Sequence, residues 1–324
     1  KAYYDAITGW FRRRHGWQIR PEWVLHTTGV IPALSAVIKA LTQPGDKVLI
    51  QTPVYNHFFT SIHNSGCQAA ESLLVYRDNT YTIDFDDLER KAADPTVKLM
   101  LLCNPHNPAG RVWTPAELRR IGELCLRHDV VVVADEIHCE LVMPGFSYTP
   151  FASLCEEFER SSVTCTSPSK AFNLAGLQVA NIFAADAALR ARIGHSLQIN
   201  ETGEIGPFAI EALIAAYDEG AEWLDALNEY LHDNYRFLRE YFDRNLPQYP
   251  VLPLEGTYLV WVDCRASGLT SDELETKLLE EAKLRINPGS IYGEAGRDFI
   301  RLNIACPRKL LAEGLDRLRK VLKR

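Results

Sequence analysis

The sequence predicts an α/β fold: a large domain with a mostly parallel sheet, followed by a smaller α+β domain. The chain has 324 residues, 47% of them hydrophobic, which suffices for about two domains with substantial cores. Over the first two-thirds, short apolar runs alternate with amphipathic segments, a pattern typical of parallel strands joined by helices. After Gly206 this alternation gives way to a long helical stretch.

The alternating region predicts six strands and five helices. The strands are expected at 47–51, 69–75, 98–103, 130–134, 163–166 and 179–184. The helices are expected at 32–41, 55–64, 84–93, 115–128 and 187–196. Thr114, followed by Pro115 and Glu117, is a typical helix start, because Thr caps the free N–H groups and Pro suits the first turn.

The region beyond Gly206 predicts the smaller domain. Its helical pattern runs to about residue 245, followed by strands near 258–262 and 299–303 and helices near 271–283 and 307–323. We expect a large domain at 24–225 and a small C-terminal domain at 226–324. Residues 1–23 supply a helix that leads into the fold, and since its period begins at Ala2, we expect further residues upstream.

Composition excludes several classes of function. The net charge of −7 creates no field that would attract nucleic acid, and no apolar run approaches the roughly 20 residues that span a bilayer. The eight cysteines form no C-x-x-C pair, which argues against a metal site. Several lie in apolar runs, so we expect reduced, buried cysteines and a cytoplasmic protein.

Polar residues follow three of the predicted strands. Asp135 comes directly after the strand at 130–134, Lys170 follows 163–166, and Asn107 lies in a loop after 98–103. In such a sheet, ligands bind beyond the carboxyl ends of the strands. A buried acid or lysine there is costly without a partner. The turn at 27–31 leads into a helix N-terminus, whose N–H groups suit a phosphate.

One ligand would use all of these groups together. Pyridoxal 5'-phosphate (PLP) carries a phosphate, a basic ring nitrogen and an aldehyde. A lysine forms an imine with the aldehyde, and a carboxylate keeps the ring nitrogen protonated. The sequence therefore predicts a PLP enzyme that acts on an amino acid, with Lys170 as the Schiff-base lysine.

At these residues the chain resembles the fold-type I PLP enzymes of the class I/II aminotransferase family. The resemblance covers essentially the whole chain, with the segments 104–110, 135–138 and 167–170 in the family's order and approximate spacing. It implies the three-layer PLP-transferase architecture of aspartate aminotransferase-like proteins. It also implies a homodimer with shared active sites.

The resemblance assigns roles to individual residues. Lys170 and Asp135 would be catalytic, with Asp135 on the ring nitrogen, and Tyr55 would stack on the ring. Asn107 would bond the phenolic oxygen, and Arg301 would clamp the α-carboxylate of the substrate together with Asn107. The remaining cofactor contacts would come from Gly29, Val30, Ile31, His138, Ser167 and Ser169.

Taken singly, most of these residues have an ordinary structural explanation. Asp135 could cap a helix, Gly29 could serve a turn, Asn107 could satisfy its own loop, Tyr55 could belong to the core, and Arg301 could be an exposed strand residue. Their joint occurrence, with Lys170, favours the cofactor site. His138 stands where many family members carry a tyrosine, and either a structural role or a cofactor contact suits it.

Two features depart from the family pattern. Gln178 occupies the position, eight residues after Lys170, where many members carry an arginine that pairs with the phosphate. The resemblance then implies that the phosphate depends more on the helix N-terminus, hydroxyl groups or the partner subunit. Members also carry an N-terminal segment with a tyrosine that reaches the neighbouring subunit's site, and this sequence does not include it.

Several segments resemble the cystathionine β-lyase (C–S lyase) branch of the family, including 169–173, 216–224, 292–297 and 301–308. This implies β-elimination from L-cystathionine or related cysteine S-conjugates, giving pyruvate, ammonia and a thiol. An aminotransferase is the alternative, because transamination shares every step up to loss of the α-proton. An inactive regulatory protein on the same fold is the third hypothesis, and an intact Lys170 argues against it.

Overall fold

The computed structural model describes residues 1–323 and contains one large and one small sheet. The large sheet has the order β1-β8-β7-β6-β5-β2-β3-β4. Its strands are β1 (Val24–Thr27), β2 (Lys47–Thr52), β3 (Gln68–Arg77), β4 (Thr80–Ile83), β5 (Val97–Cys103), β6 (Val131–Asp135), β7 (Ser162–Thr166) and β8 (Ala180–Phe183). The five strands β7, β6, β5, β2 and β3 run parallel, while β1, β8 and β4 pair antiparallel at the two edges.

Helices cover the large sheet on both faces because its central strands are apolar on both sides. The helices of this part of the chain are α1 (Ala2–His15), α2 (Val30–Leu41), α3 (Asn56–Asn64), α4 (Phe85–Ala92), α5 (Pro115–Arg127), α6 (Glu156–Ser161) and α7 (Ala187–Ile199). Along β5, Leu99 and Leu101 pack into one cluster with α2, α3 and α7, whereas Met100 and Leu102 pack into another with α4 and α5. The predicted three-layer α/β architecture is thereby confirmed.

The C-terminal part forms a three-stranded antiparallel sheet of order β10-β11-β9, packed against helices. Its strands are β9 (Leu259–Asp263), β10 (Asn287–Pro288) and β11 (Phe299–Asn303). The helices are α8 (Pro207–Glu219), α9 (Ala221–Asn245), α10 (Ser271–Ala282) and α11 (Arg308–Leu322). The apolar faces of α9, α10 and α11 meet β9 and β11 in one cluster.

The long helical stretch expected from Gly206 to about residue 245 is present, but it is divided into two helices. Two helices, α8 and α9, meet at Gly220, which ends one and begins the other. A Cβ at position 220 would lie 2.4 Å from the carbonyl oxygen of Ala216 and 2.5 Å from the ring of Phe172. Close packing against the segment that follows Lys170 therefore places a glycine at this junction, a constraint that helical periodicity does not reveal.

Most predicted boundaries agree with the structure to within two residues, and the differences fall at ends and edges. The helix expected from residue 55 begins at Asn56, so Tyr55 lies just outside it as its N-cap residue. The edge strands β1 and β4, each four residues long, were not predicted. Within residues 1–323, no helix is both long and apolar enough to cross a membrane.

Candidate active site

All eleven predicted site residues line one cavity of about 430 Å³ at the carboxyl ends of the parallel strands. This volume falls within the usual range for small-molecule sites. Asp135 ends β6, opposite Cys103 of β5 and Cys165 of β7, so the loops that follow these three strands open toward the same space. The cavity lining includes Gly29, Val30, Ile31, Tyr55, Asn107, Asp135, His138, Ser167, Ser169, Lys170 and Arg301.

Asp135 presents a buried carboxyl group to the cavity. The residue is 3% exposed, and its Oδ1 accepts a hydrogen bond from the backbone N–H of Ile137 at 3.2 Å. Burial raises the pKa of Asp135 to about 7, and the N–H of Ile137 and the charge of Lys170 partly oppose that rise. A cation placed against Asp135 would favour the ionised carboxylate, which is the partner that a protonated ring nitrogen requires.

Lys170 lies in the same cavity on the turn that follows β7. Burial lowers the pKa of the Lys170 amine, the nearby charge of Arg301 lowers it further, and Asp135 acts in the opposite direction. A lowered pKa increases the fraction of neutral amine, which is the form that attacks a carbonyl or accepts a proton.

Arg301 and Asn107 meet across the cavity although 194 positions separate them in the sequence. Nη1 of Arg301 donates a hydrogen bond to Oδ1 of Asn107 at 3.0 Å, and Nη2 donates to Oδ1 of Asn287 at 3.2 Å. The guanidinium carbon also lies 4.9 Å from the ring centre of Tyr292. Because its oxygen accepts from Arg301, the amide of Asn107 keeps its N–H groups for an acceptor in the cavity.

The N-terminus of α2 offers two unpaired donors. Gly29 is its N-cap residue and provides no side-chain cap, and Pro32 has no N–H. Within the described residues 1–323, no group accepts from the N–H of Val30 or Ile31. Such donors at the positive end of a helix form an anion site.

Two serine hydroxyls complete this side of the cavity. Oγ of Ser167 donates to the carbonyl of Val179 at 2.6 Å and lies 2.8 Å from Oγ of Ser169. Gln178, which stands at the family's usual arginine position, also lines the cavity and has a left-handed backbone with φ 55°. An uncharged residue therefore lines the cavity at the position where many members of the family carry an arginine.

Tyr55 and His138 are both uncharged in this environment. Burial raises the pKa of Tyr55 to about 12, and the charge of Asp135 contributes to the rise. Burial lowers the pKa of His138 to about 3, assisted by the charges of Lys170 and Arg301. The Nδ1 atom of His138 is buried and has no hydrogen-bond partner among the described residues.

Sequence reasoning assigned no role to several residues of the lining, among them the polar residues Cys103, Tyr258 and Asn303. The backbone N–H of Asn107 donates to Sγ of Cys103 at 3.3 Å, which ties the loop to the end of β5. Asn303 was predictable, because it follows Arg301 by two positions on β11 and residues two apart share one face of a strand. Tyr258 gives no such signal, since only the position of β9 brings it to the cavity.

The residues present fit PLP. The unpaired N–H groups of Val30 and Ile31 suit its phosphate, and the buried Asp135 suits a cationic ring nitrogen. Lys170, on the turn that follows β7, has the amine that an aldehyde requires, and the amide N–H groups of Asn107 suit a phenolic oxygen.

Comparison with known proteins decides the family. The model of the family described as aminotransferase class I and II matches residues 1–318. The chain belongs to this family, and the resemblance drawn from the sequence is confirmed. Membership of the aminotransferase class I and II family agrees with the three-layer fold described above.

The chain is similar to curated members of this family. It is 43% identical over 318 residues to cystathionine beta-lyase PatB of Bacillus subtilis (strain 168), covering 98% of this chain and 82% of that protein. It is 35% identical over 317 residues to protein MalY of Escherichia coli (strain K12), covering 96% and 79%. Among solved structures, cystalysin from Treponema denticola, whose crystal structure contains a PLP cofactor, has a TM-score of 0.97 and 37% identity, covering 99% and 82%.

Proposed function

We propose that this chain is a PLP-dependent carbon–sulfur β-lyase that cleaves L-cystathionine or related cysteine S-conjugates to pyruvate, ammonia and a thiol. The observation that carries the proposal is the convergence of Lys170, Asp135, Asn107 and Arg301 on one cavity. Identity of 43% to a cystathionine beta-lyase and the likeness to cystalysin support both the cofactor and the reaction.

The chain's own residues would hold the cofactor as follows. The N–H groups of Val30 and Ile31, with the hydroxyls of Ser167 and Ser169, would bind the phosphate at the turn that begins with Gly29. Asp135 would pair with the ring nitrogen, and an N–H of Asn107 would bond the phenolic oxygen. Tyr55 would stack on the ring, and His138, being neutral, would contact it. When bound, PLP supplies an electron sink for the pair left at Cα after proton removal.

Arg301 and Lys170 would act on the substrate. The planar guanidinium of Arg301 matches a carboxylate bidentately and would fix the amino acid with its Cα–H bond toward Lys170. The neutral amine of Lys170 would then take the Cα proton as a general base. The Cβ–S bond breaks, the sulfur leaves with the bonding electrons as a thiolate, and water converts the remaining three-carbon fragment to pyruvate and ammonia.

The test is pyruvate release from L-cystathionine by the purified protein loaded with PLP, without added keto acid. We expect steady release that Lys170→Ala abolishes, because that variant lacks the amine that accepts the proton. Lys39→Ala, which removes an amine on α2 that bonds Asn200 away from the cavity, is the matched control and should retain activity. Absence of pyruvate in the wild-type protein would overturn the proposal.

An aminotransferase is the second candidate, favoured by the description of the family whose model matches the chain. The same experiment separates the two. A transaminase would release no pyruvate from cystathionine and would need a keto acid for repeated turnover. Without a keto acid, a single turnover would leave the cofactor in its amine form. An inactive protein would show neither reaction.

The assembly and location are also proposals. We propose a homodimer with shared active sites, supported by Phe208 and Ile199, whose apolar side chains are 81% and 67% exposed on either side of residues 200–206. Sedimentation velocity at micromolar concentration tests this. The eight cysteines are all free and six are buried, which supports a reducing compartment such as the cytoplasm.

A further inference from the structure

A buried thiol lies beside two of the residues that would contact the cofactor ring. Cys103 ends β5, is 4% exposed and lines the cavity of the candidate active site. Its register partner on β6 is Asp135, and its sulfur is bonded to Asn107 in the loop that follows β5. The proposed function assigns no part to this thiol.

Two hydrogen bonds join the thiol of Cys103 to that loop. The backbone N–H of Asn107 donates to Sγ at 3.3 Å, and Sγ donates to the carbonyl oxygen of Pro105 at 3.4 Å. Sulfur is a weak donor and a weak acceptor, so each bond is modest. Together they hold residues 103–107 against the end of the strand, and they fix the backbone that carries the amide of Asn107.

Asn107 has little other support. Within residues 1–323 it makes two hydrogen bonds, one from its backbone N–H to Cys103 and one from Nη1 of Arg301 to its Oδ1. Arg301 would also bind the carboxylate of the substrate, so its bond to Asn107 can change when a substrate enters. The bond to Cys103 lies on the backbone and does not depend on the substrate. Cys103 is therefore the constant support of Asn107.

The thiol of Cys103 acts as a neutral group. Burial raises the pKa of this thiol, the charge of Asp135 raises it further, and the N–H of Asn107 acts in the opposite direction. A protonated thiol adds no charge beside Asp135 and keeps its S–H for the carbonyl of Pro105. Its effect on the site is therefore geometric rather than ionic.

Cys165 offers an internal comparison. It is the register partner of Asp135 on the other side, on β7, and it is also buried. Burial and the charge of Asp135 raise the pKa of its thiol as well. Among the described residues, however, the thiol of Cys165 has no hydrogen bond to the loop of Asn107, and Cys165 does not line the cavity. The two thiols thus differ in the contact with Asn107.

We propose that Cys103 is a positioning residue, which holds the amide of Asn107 in place to bond the phenolic oxygen of PLP. This inference rests on the proposed function, which assigns that bond to Asn107, and adds the residue that supports it. A hydrogen bond to the phenolic oxygen stabilises its anionic form, so the bound cofactor loses its proton at a lower pH. Displacement of the amide should therefore raise the pKa of the bound cofactor.

The experiment follows the visible absorption of the PLP-loaded protein against pH, after removal of free PLP, and gives the pKa of the bound cofactor. Asn107→Ala should raise this pKa by about one pH unit, as expected for loss of one hydrogen bond to an anionic oxygen. Cys103→Ala should raise it by about half a pH unit, because the amide remains but is no longer held. The signal comes from protein with bound cofactor, so a smaller folded fraction does not imitate the effect.

Three further variants separate a positioning role from a packing role. Cys103→Ser is matched in size to Cys103→Ala but keeps a group that accepts the N–H of Asn107, so its pKa should lie closer to that of the wild type. Cys165→Ala removes the thiol on the other side of Asp135 and should leave the pKa unchanged. In the Asn107→Ala background, Cys103→Ala should add no further change, because the group that it positions is absent.

The outcomes separate this inference from the proposed function. Pyruvate release from L-cystathionine by the wild-type protein decides the lyase assignment independently of the pKa. If Asn107→Ala leaves the pKa unchanged, the bond assigned to Asn107 fails, and the inference on Cys103 fails with it. If Asn107→Ala raises the pKa but Cys103→Ala does not, or if Cys165→Ala equals Cys103→Ala, Asn107 keeps its role and Cys103 is not a positioning residue. Additive effects in the double variant would also overturn the inference.

Discussion

Asp135 and Glu136 are adjacent buried acids with different surroundings. Glu136 is satisfied by its neighbours, since its carboxylate accepts from Nδ2 of Asn104 at 3.0 Å, from the N–H of Phe151 at 2.9 Å and from the hydroxyl of Tyr148. Among the described residues, the carboxylate of Asp135 accepts one hydrogen bond, from the backbone N–H of Ile137, and the residue lines the cavity. Of the two carboxylates, Asp135 is therefore the one available to a ligand.

The pH dependence of apoprotein stability should reveal the raised pKa of the buried Asp135 carboxyl group. Because burial raises the pKa of Asp135 to about 7, the folded apoprotein binds more protons than the unfolded chain between about pH 4 and 7. That contribution to stability is fully present below about pH 4 and is lost as the pH rises through 7. Asp135→Asn has no such titration, so its melting temperature relative to wild type should rise by roughly 5 °C between pH 5 and 8.

The measurement is thermal unfolding of both apoproteins at the two pH values. Glu136 is present in both proteins, so its own contribution to the pH dependence of stability cancels when the two melting temperatures are compared. A constant difference in melting temperature between pH 5 and 8 would contradict a raised pKa at Asp135.

At Arg301 the shape of the side chain matters as well as its charge. Arg301→Lys keeps a cation but loses the planar fork that donates to Asn107 and would bind a carboxylate. We expect kcat/KM for cystathionine to fall about 100-fold. Arg265→Lys, at an ion pair between an exposed arginine and the buried Asp263 away from the cavity, should have little effect on the same assay. Equal kinetics of Arg301→Lys and wild type would remove Arg301 from the carboxylate site.

At the scale of elements, strand ends and helix starts place the chemistry. The parallel strands β5, β6 and β7 end side by side, so short loops bring Asn107, Asp135 and Lys170 together. The helix α2 begins at the same edge with its N-terminus open. In contrast, α5 and α10 begin with complete capping boxes at Thr114 and Thr270, and neither starts at the cavity.

Replacing Val30 with proline tests the anion site of α2. Proline is tolerated at the first position of a helix, where it removes only an N–H that has no partner within the helix. Val30→Pro should therefore weaken PLP binding to the apoprotein about tenfold, the effect of losing one hydrogen bond to a charged group. Val30→Ala, which keeps the N–H, should bind PLP several-fold more tightly than Val30→Pro in equilibrium dialysis. Equal affinities of the two variants would contradict phosphate binding at this N–H.

At the scale of the whole molecule, the small sheet packs against the large sheet. Trp261 of β9 is 1% exposed, stacks on Phe299 with ring centres 5.3 Å apart, and belongs to a cluster with Leu49 and Tyr81 of the large sheet region. The proposed division into 24–225 and 226–324 stays a prediction, and α9 crosses it without interruption.

Trp261→Ala should therefore destabilise both parts of the molecule at once. Loss of a fully buried tryptophan costs about 3–5 kcal/mol, and the cavity that remains faces both sheets. We expect calorimetry of the apoprotein to show the main transition shifted to lower temperature as a unit. The exposed Trp223→Ala is the matched control and should shift it much less. A shift confined to one of two resolved transitions would show that the contact between the sheets contributes little.

The sequence alone determined the central strands, the α/β class and the positions of Asp135, Lys170 and Asn107, because each depends on periodicity and on the few residues that follow a strand. Tertiary structure decided the rest. The bond between Arg301 and Asn107 and the helix break at Gly220 both arise where distant segments pack together. Local periodicity carries no information on such contacts, because the energy that selects them comes from burial between elements that are far apart in the chain.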